Sequence, residues 1–516
     1  MASFREQLLS LYQLTEEGYA RLVAPPSFSS IPTLENDDGA KRILQRLAKA
    51  KAQGERLLIY GDYDTDGVMA TSIMKLALEQ YGIQAATYLP SRYLDGYGLN
   101  ENNAKKIAKA KYDLVLLVDN GVSAYGGIEI FNEHDIDVLI IDHHEINGKL
   151  PLNAGIVHPE TSHYPSPAGC AGYLSLLFSC LLLNRADPYL LVLGALSTIS
   201  DMMPLREHNR TIVRLALKKI EENGYRKITD FLDKKTITAD DLGMSFIPAI
   251  NSIGRLEEDT SINRLVSYFS EATSEKTERI GRWMKAVNEE RTAMTKEAAE
   301  TVDVEEDAPI LFVESQLKEG VNGLLANRVI GKYKKPVIVY SEKAGEPGLL
   351  VGSFRSLPGF SVTEALESIR PHLVSGGGHM LAGGLSFRKE ELPKIKIALY
   401  EFAKSHPIAK IQEGRIVITP EDLTEENFDL IESLSPFGQE WKRPIFVMED
   451  LDAESFTYAK GGQYLSFAFP NGTRMFSFNL SEASFQGKGK VSLSGEMRAN
   501  LFRGQKRIEF LAQEIL

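Results

Sequence analysis

The chain has 516 residues, of which 43% are hydrophobic and 25% are charged, as in ordinary globular proteins. This composition excludes disordered, collagen-like and coiled-coil classes, and the length predicts about three domains. The 58 Lys and Arg residues stand against 70 Asp and Glu residues, which gives a net charge of −12. Taken alone, this acidic balance argues against a polyanionic partner such as nucleic acid.

The cysteine content and the start of the chain indicate where the protein works. Two cysteines, Cys170 and Cys180, are too few for a disulfide framework or a Cys-based zinc site. Residues 1–6 lack the apolar core of a signal peptide. The longest apolar run, 173–183, is shorter than the roughly 20 residues that span a bilayer. We therefore expect a soluble, cytoplasmic protein with no membrane partner.

Short apolar runs alternate with helix-like segments in the first part of the chain. Buried apolar strands that alternate with helices predict a parallel sheet with helices on both faces. Such sheets bind ligands at the carboxyl ends of their strands, and here each predicted strand ends in acidic or histidine residues. The predicted strands are 57–61, 114–121 and 138–144, and the predicted helices lie near 68–81, 101–110 and 124–134.

The rest of the chain shows three further patterns. Residues 173–222 are largely helical in character with an interruption at 201–204, and residues 271–301 predict a long connecting helix. A second, smaller α/β region starts near residue 309 and ends in a glycine-rich stretch, 376–384. From about residue 414, short alternating strands with glycine turns predict a small β-barrel or sandwich.

Three carboxylates, Asp62, Asp64 and Asp66, stand at alternate positions after the first predicted strand. At a strand end this spacing would turn all three side chains the same way, and like charges that close need a cation. A calcium-binding EF-hand loop begins similarly, but it needs a Glu at its twelfth position, where this chain has Ile73. An acidic surface turn is the alternative interpretation.

Two more predicted strands end in metal-ligand types. Asp119 follows the second strand, and Asp142, His143 and His144 follow the third. Mixed carboxylate and imidazole ligands suit Mn²⁺, Mg²⁺ or Zn²⁺. The Asp and His residues together are too many for one octahedral ion, whereas two ions that share a bridging carboxylate would use them. The residues therefore predict a two-metal phosphoesterase.

These motifs resemble the DHH phosphoesterase superfamily, whose signature stands here at residues 142–144. The resemblance is closest to its RecJ branch of single-strand-specific 5′→3′ exonucleases. RecJ-like segments lie at 60–67, 90–92 with 96–99, 118–121, 200–205 and 250–256; residues 352–356 and 376–379 resemble the DHHA1 domain, and 434–438 resembles the start of the RecJ OB-fold. The resemblance implies a DHH catalytic domain at 1–270, a connecting helix at 271–305, a DHHA1 domain at 306–407 and an OB-like domain at 408–516.

The same resemblance implies roles for individual residues. It places two ions, Mn²⁺ or Mg²⁺, in the DHH domain with Asp119 as the bridging ligand. It places His144 at the scissile phosphate, Asp142 behind a histidine, and Arg92 and Arg255 as cations beside the phosphoryl group. The implied metal ligands are Asp62, Asp64, Asp66, Asp119, His143 and Asp201, and the implied substrate-binding residues are Ser353, Arg355, Ser356, Gly377, Gly378 and His379.

The glycine-rich turn has two interpretations. Its backbone amides can cradle the 5′-terminal phosphate, as the resemblance implies. It can also be a tight connection that needs positive φ.

The OB-like end combines aromatic and basic side chains, the pattern that binds single strands through base stacking and a basic groove. Residues 441–516 carry ten Lys and Arg against eight Asp and Glu, so this region is mildly basic although the whole chain is acidic. Part of an alternating aromatic set must form the core, so only some of these residues can contact bases. The candidates are Tyr458, Tyr464, Phe467, Phe469, Phe476, Phe478 and Phe502, with Lys488, Lys490, Arg498, Arg503, Lys506 and Arg507.

Two segments depart from the family pattern: 318–323, where the family has a His before a Gly-Val-Ile/Val-Gly run, and 439–441, within the usual Pro-Phe-Gly-x-Gly-Asn. The expected function is a metal-dependent 5′→3′ exonuclease that degrades single-stranded DNA, and potentially RNA, to mononucleotides in repair and recombination. A single-strand-binding protein or a helicase is an expected partner. Two alternatives stay open, namely a DHH–DHHA1 phosphodiesterase for short oligonucleotides or cyclic dinucleotides and an inactive single-strand-binding scaffold.

Overall fold

A computed structural model describes residues 3–146, 148–151, 154–259, 261–408, 415–502 and 505–516. Two OB-region candidates from the sequence, the Phe502 side chain and Arg503, lie outside what it describes. The chain divides into two compact units, one formed by Phe28–Ile411 and the other by Met1–Ser27 together with Gln412–Leu516. Along the described residues, no helix combines the length and the apolar character needed to cross a membrane.

The elements are numbered in chain order. The α-helices are α1 (Phe4–Leu11), α2 (Glu16–Val23), α3 (Asp38–Gln53), α4 (Thr65–Tyr81), α5 (Glu101–Lys109), α6 (Tyr125–Glu133), α7 (Ala171–Leu183), α8 (Pro188–Ser200), α9 (Glu207–Asn223), α10 (Arg226–Leu232), α11 (Ala239–Asp241), α12 (Ile247–Leu256), α13 (Asn263–Ser270), α14 (Glu275–Thr301), α15 (Asn322–Tyr333), α16 (Val362–Ser368), α17 (Leu392–Ser405), α18 (Glu425–Ser433) and α19 (Glu482–Phe485). The strands are β1 (Leu57–Tyr60), β2 (Ala85–Tyr88), β3 (Leu114–Val118), β4 (Asp137–Ile141), β5 (Ala154–Val157), β6 (Leu311–Glu314), β7 (Val337–Glu342), β8 (Leu349–Arg355), β9 (Ser375–His379), β10 (Ala382–Arg388), β11 (Ile416–Val417), β12 (Phe446–Asp452), β13 (Tyr458–Ala459), β14 (Tyr464–Ala468), β15 (Arg474–Ser477), β16 (Lys490–Phe502) and β17 (Gln505–Ile515).

The first sheet of the larger unit is parallel throughout, with strand order β2-β1-β3-β4-β5. The prediction of an α/β fold with a parallel sheet is therefore confirmed. Strands β1 and β3 are buried along their whole length, which explains their uninterrupted apolar sequences. The sequence analysis missed β2 and β5. Strand β2 is a half-exposed edge strand without an apolar run, so its sequence carried little signal.

The second sheet of this unit is mixed, with strand order β6-β7-β8-β10-β9. Strands β6 and β7 are parallel and the remaining pairs are antiparallel. The predicted connecting helix is present as α14, whose first turn is closed by a capping box between Ser274 and Thr277. Helix α14 packs against α12 on one side and α15 on the other, within the same unit.

The smaller unit contains a sheet of order β11-β12-β16-β17-β15-β14-β13. The N-terminal helices α1 and α2 pack onto it: Leu8 is fully buried in the same core as Phe446 and Phe510, and the rings of Phe4 and Phe446 stack at 5.7 Å. The sequence analysis placed residues 1–270 in one domain, which is wrong for this segment. An amphipathic helix shows that one face is buried, but its sequence does not say against which partner.

The departure at 439–441 has a visible consequence in the smaller unit. Glu440, where the family pattern has glycine, adopts a left-handed φ of 55°. Trp441 pairs with Gly438, donates from its indole nitrogen to the carbonyl oxygen of Leu434 at 2.9 Å, and packs on Tyr12 at 4.6 Å. Trp441 therefore helps to hold the end of α1 in this unit.

Candidate metal centre and substrate cleft

The first acidic segment forms a loop and the start of a helix. Strand β1 stops at Tyr60, Asp62 lies in the loop, and Asp64 caps α4 by accepting a hydrogen bond from the backbone N–H of Gly67 at 3.1 Å. Asp66 lies in the first turn of α4. The expectation that strand alternation would align the three carboxylates is therefore wrong. A side chain on Gly67 would come within 2.5 Å of the carbonyl oxygen of Asp62, so glycine lets the helix start this close to the loop.

The next two strands deliver their ligand-type residues at their carboxyl ends, as predicted. Asp119 directly follows β3, is buried, and holds a left-handed φ of 62°. Such a conformation costs a non-glycine residue about 1–2 kcal/mol, and it persists where the surrounding structure demands it. Residues 142–144 follow the neighbouring strand β4.

The imidazole of His143 lies at the centre of the cluster. Its Nε2 is 3.4 Å from a carboxylate oxygen of Asp66, 3.4 Å from one of Asp119 and 3.7 Å from one of Asp201. Asp201 reaches this point from the end of α8. Three groups have ligand atoms within 4.8 Å of one another: Asp119, His143 and His144; Asp66, His143 and Asp201; and Asp62, Asp64 and Asp119.

The charge state of these carboxylates favours a cation. Burial, followed by the neighbouring Asp64, raises the pKa of Asp62 to about 8. Burial, followed by the charge of Asp66, raises the pKa of Asp119 well above its usual value and that of Asp201 to about 8. One oxygen each of Asp62 and Asp119 is buried and accepts no hydrogen bond within the described part of the chain. The donor set therefore fits divalent ions, which would satisfy these oxygens and offset the charge.

Asp66 is oriented by the helices behind the sheet. Its two oxygens accept hydrogen bonds from the backbone N–H groups of Ala171 and Gly172, at 2.9 and 2.8 Å, at the start of α7. The hydroxyl of Ser197 on α8 donates to it as well. Ser197 is fully buried and was missed by the sequence analysis, because an isolated serine in an apolar helix carries no pattern.

Asp142 and His144 form a hydrogen-bonded pair next to the cluster. Nδ1 of His144 donates to Asp142 at 2.8 Å, and the other carboxylate oxygen of Asp142 accepts from the backbone N–H of Val122 at 3.1 Å. Burial opposes the charged form of Asp142, but the hydrogen bond and charge of His144 lower its pKa to about 2. Burial likewise opposes the charged form of His144, but Asp142 raises its pKa to about 9.

The second nitrogen of His144 lies toward an exposed tyrosine. The hydroxyl of Tyr97 is 2.8 Å from Nε2 of His144, and Tyr97 is 54% exposed. Tyr97 lies in the RecJ-like segment 96–99, but the sequence analysis did not predict it as a site residue. The position of the Tyr97 side chain depends on the turn at 96–98, where Gly96 and Gly98 take positive φ.

The two predicted cations lie together beside the acidic cluster. Arg92 donates from Nε to the carbonyl oxygen of Gly254 at 3.3 Å and lies over the ring of Tyr63 at 4.4 Å. Arg255 donates to the carbonyl oxygen of Gly320 at 3.1 Å. Burial, followed by the charge of Arg92, lowers the pKa of Arg255 to about 10.

The predicted residues of the second α/β region lie on β8 and β9 or directly after β8, and these two strands flank β10. Ser353 and Arg355 stand at alternate positions on β8, and Arg355 donates to the carbonyl oxygen of Gly383 on β10 at 3.3 Å. A side chain on Gly323 would come within 2.8 Å of Arg355, so glycine lets α15 approach this guanidinium. Ser356 follows β8, and its hydroxyl donates to the carbonyl oxygen of Leu357 at 3.4 Å.

The glycine-rich edge strand β9 faces the same cleft as the acidic cluster. A side chain on Gly378 would meet the carbonyl oxygen of Ala382 at 2.3 Å, whereas one on Gly377 would meet nothing within 4 Å. A cavity of about 760 Å³ joins the two regions. Its lining includes Tyr97, His143, His144, Asp201, Gly378 and His379.

The aromatic candidates of the smaller unit divide into residues that pack on the core and residues near the surface. Tyr458, Phe467 and Phe469 pack on the core, whereas Phe478 is 67% exposed. The ring of Phe478 lies 5.4 Å from Phe476 and 6.1 Å from Tyr464, and these three rings are here called the aromatic patch. A cavity of about 540 Å³ adjoins it.

Some of the basic candidates of this unit are paired with carboxylates and others are exposed. Arg498 pairs with Glu496 at 2.9 Å and Lys506 with Asp429 at 2.6 Å, whereas Lys488 and Lys490 are exposed. Arg474, which the sequence analysis did not select, lines the cavity beside the aromatic patch together with Arg498.

Comparison with known proteins matches the three regions separately. The DHH family, N-terminal domain, matches residues 56–188; the DHHA1 domain matches 307–405; and the RecJ OB domain matches 416–514. Single-stranded-DNA-specific exonuclease RecJ of Bacillus subtilis is 29% identical over 92% of this chain, and the match spans 63% of that relative's length. The Escherichia coli protein of the same name is 26% identical over 92% of this chain and 90% of its own length.

The fold agrees with solved structures. RecJ from Thermus thermophilus in complex with Mn²⁺ superimposes with a TM-score of 0.81 at 21% identity, over 99% of this chain and 77% of that one. The same protein in complex with Mg²⁺ gives a TM-score of 0.74 at 21% identity, over 99% and 76%. A DHH domain, a DHHA1 domain and a RecJ OB domain thus follow one another in a single chain. In this order of domains, and over 92% of its length, the chain is similar to RecJ proteins of the DHH family.

Proposed function

We propose that this protein is a two-metal-dependent exonuclease that degrades single-stranded DNA from its 5′ end to mononucleotides, in DNA repair and recombination. The observation that carries the proposal is the convergence of carboxylates from separate segments on His143, beside buried oxygens that accept no hydrogen bond within the described residues. The names of the Bacillus subtilis and Escherichia coli relatives support the substrate.

The acidic cluster would hold the metal ions. Bound Mn²⁺ or Mg²⁺ would supply an activated water and stabilise charge at phosphorus in an in-line displacement. Asp119 is the natural bridging ligand because it belongs both to the group with His143 and to the group with Asp62 and Asp64. The proposed ligands are Asp62, Asp64, Asp66, Asp119, His143 and Asp201.

His144 would act on the scissile phosphate. Its Nδ1 is held by Asp142, which would favour the charged imidazole and leave Nε2 as the donor on the cavity side. A phosphoryl oxygen could take the place that the Tyr97 hydroxyl now occupies at Nε2. This donor would stabilise the negative charge that develops on the phosphoryl group.

The guanidinium groups and the glycine-rich strand would bind the 5′ end. Arg92 and Arg255 lie between the acidic cluster and the second α/β region, and Ser353 and Arg355 face the start of α15. Guanidinium groups bind phosphate oxygens through charge-assisted hydrogen bonds. A terminal phosphate bound by these groups, beside the metal centre, would place the first phosphodiester bond for cleavage. This would give the enzyme its 5′→3′ direction. Ser356, Gly377, Gly378 and His379 would contribute the adjoining backbone contacts.

The aromatic patch of the smaller unit would bind the strand further along. Stacking on exposed rings tolerates any base, which suits an exonuclease that must pass along every sequence. The adjacent Arg474 and Arg498 would contact phosphates.

The test compares a long 5′-labelled single strand, a duplex and a dinucleotide, each with Mn²⁺ or Mg²⁺. Release of labelled mononucleotide from the long single strand is the expected result. Asp119→Ala should abolish it, while Glu133→Ala, an exposed residue of α6, should retain it. Cleavage confined to the dinucleotide would overturn the proposal in favour of a small-substrate phosphodiesterase. Strand binding without cleavage by the wild type would instead favour an inactive scaffold.

RNA as a second substrate, a single-strand-binding protein or helicase as a partner, and a cytoplasmic location stay predictions from the sequence. Each has a direct measurement: the same assay on an RNA strand, co-purification with these proteins, and fractionation of cells that express the chain.

A further inference from the structure

Five arginines of the larger unit come together at the junction of its two α/β regions without a carboxylate partner. Within the described residues, none of the five guanidinium groups lies within 4.0 Å of an acidic side chain, and their hydrogen bonds go to neutral oxygens. We call this set the arginine track. It consists of Arg92, Arg255, Arg291, Arg328 and Arg355.

The track has an order that leads away from the metal centre. Arg92 and Arg255 are the members whose charges interact with Asp64 at the metal centre, and Arg255 also interacts with Arg291 and Arg355. Arg291 in turn interacts with Arg328. The solvent exposure rises in the same direction, because Arg255 and Arg291 are partly buried and Arg328 is exposed.

A hydrogen bond to Thr295 holds the side chain of Arg328 against the turn of α14 that carries Arg291. The hydroxyl of Thr295 donates to the carbonyl oxygen of Arg291 at 2.9 Å and accepts from Nε of Arg328 at 3.2 Å. Thr295 is buried between α14 and α15 and lies one helical turn from Arg291. The side chain of Arg291 is itself directed by Asn288 and Thr292, at 3.0 and 3.1 Å.

The outer pair is not needed for the 5′-terminal phosphate of the proposed function. Arg92, Arg255 and Arg355 already supply three guanidinium groups for that phosphate. Two further cations that lack a carboxylate raise the free energy of the empty site, because the like charges of Arg291 and Arg328 repel and Arg291 is also partly buried. An anion with more than one phosphate would relieve this repulsion.

We propose that Arg291 and Arg328 form a second phosphate subsite, which binds the phosphates attached to the 5′-terminal phosphate of a di- or triphosphorylated strand. The inference rests on the proposed function, because the position of the terminal phosphate sets the direction of the track. A chain that continues outward from that phosphate, away from the metal centre, meets Arg291 and then Arg328. The ligand class is therefore a 5′-polyphosphorylated single strand.

Binding without hydrolysis tests the subsite. The dissociation constants of three otherwise identical fluorescent single strands, with 5′-hydroxyl, 5′-monophosphate and 5′-triphosphate ends, are measured by anisotropy in EDTA. The wild type should bind the triphosphorylated strand about tenfold more tightly than the monophosphorylated one, the factor expected for one charge-assisted contact. The double variant Arg291→Ala/Arg328→Ala should bring this ratio near one. Arg282→Ala, a substitution of the same type on the same helix, should retain the wild-type ratio.

Further measurements separate the possible failures. Inorganic tripolyphosphate should compete with the triphosphorylated strand in the wild type and lose its advantage over inorganic phosphate in the double variant. Thermal melting of each variant checks that α14 and α15 stay packed. Lysine in place of alanine at position 328 of the double variant should restore part of the ratio of dissociation constants, because it keeps the positive charge. Equal binding of all three strands by the wild type, or an unchanged ratio in a folded double variant, would overturn the subsite. Failure to degrade the monophosphorylated strand with Mn²⁺ would instead overturn the proposed function, and this outcome is measured separately.

Discussion

The carboxylate of Asp142 accepts a hydrogen bond from Nδ1 of His144 at 2.8 Å, and both residues follow the same strand, β4. The same oxygen also accepts from the backbone N–H groups of residues 143 and 144, at 2.8 and 3.3 Å. One buried carboxylate thus fixes the backbone and the imidazole of the signature motif together. It does so without belonging to the groups of ligand atoms that could hold a metal.

Replacement of Asp142 should impair turnover more than substrate binding. Asp142→Asn keeps the size of the side chain but weakens its hold on His144, and we expect kcat to fall by about 10- to 100-fold with a smaller change in KM. Steady-state degradation of a 5′-labelled single strand measures both constants. Asp137→Asn, a substitution of the same type at the exposed start of β4, serves as the control. A variant with wild-type kcat would contradict the proposed role of the pair.

Removal of a buried carboxylate from the cluster should change the response of protein stability to metal. Wild-type Tm should rise on addition of Mn²⁺, since a ligand at 100 times its Kd stabilises the folded state by about 2.7 kcal/mol. Asp119→Asn replaces a buried carboxyl group whose pKa is raised by burial and one of whose oxygens lacks a hydrogen bond among the described residues, so the variant should be at least as stable as the wild type in EDTA and gain much less from Mn²⁺. Differential scanning calorimetry with and without metal tests both statements. An equal gain in both proteins would be evidence against Asp119 as a ligand.

The aromatic patch should contribute to strand affinity and little to folding. Phe478→Ala should weaken binding of a single strand by about 1–3 kcal/mol, the usual value for one stacked base. Because Phe478 is 67% exposed, the free energy of unfolding should change little. Phe469→Ala provides the contrast, since Phe469 is buried and its truncation should cost about 3–5 kcal/mol of stability. Anisotropy and chemical denaturation separate the two effects, and unchanged affinity in Phe478→Ala would exclude this ring as a contact.

The N-terminal helix should be part of the stability of the smaller unit. Leu8 is fully buried in that unit's core, so Leu8→Ala should lower its free energy of unfolding by about 2–5 kcal/mol. The chain has two tryptophans, and Trp441 packs on Tyr12, so denaturation of this unit can be followed by Trp441 fluorescence in a Trp283→Phe background. Ser10→Ala on the exposed side of α1 is the control. An unaltered unfolding curve in Leu8→Ala would mean that α1 does not stabilise this unit in solution.

The sequence by itself determined the parallel sheet and the types of residue at its carboxyl edge. Strands buried on both faces must be apolar throughout, so β1, β3 and β4 were recognisable. Parallel strands end at a common edge, so the Asp and His residues after them had to approach one another. Under the proposed function, the acidic total of the chain is a poor guide to its partners, because part of that charge is gathered where metal ions would offset it.

Only the tertiary structure decided which distant segments meet. Ser197 reaches Asp66, α1 packs on the C-terminal unit, and Phe478 but not Phe469 is exposed. The five members of the arginine track are spread over more than 260 residues of sequence, and no local pattern links them. Periodicity in a sequence reports which face of an element is buried, whereas the partner of that face depends on the packing of the whole chain.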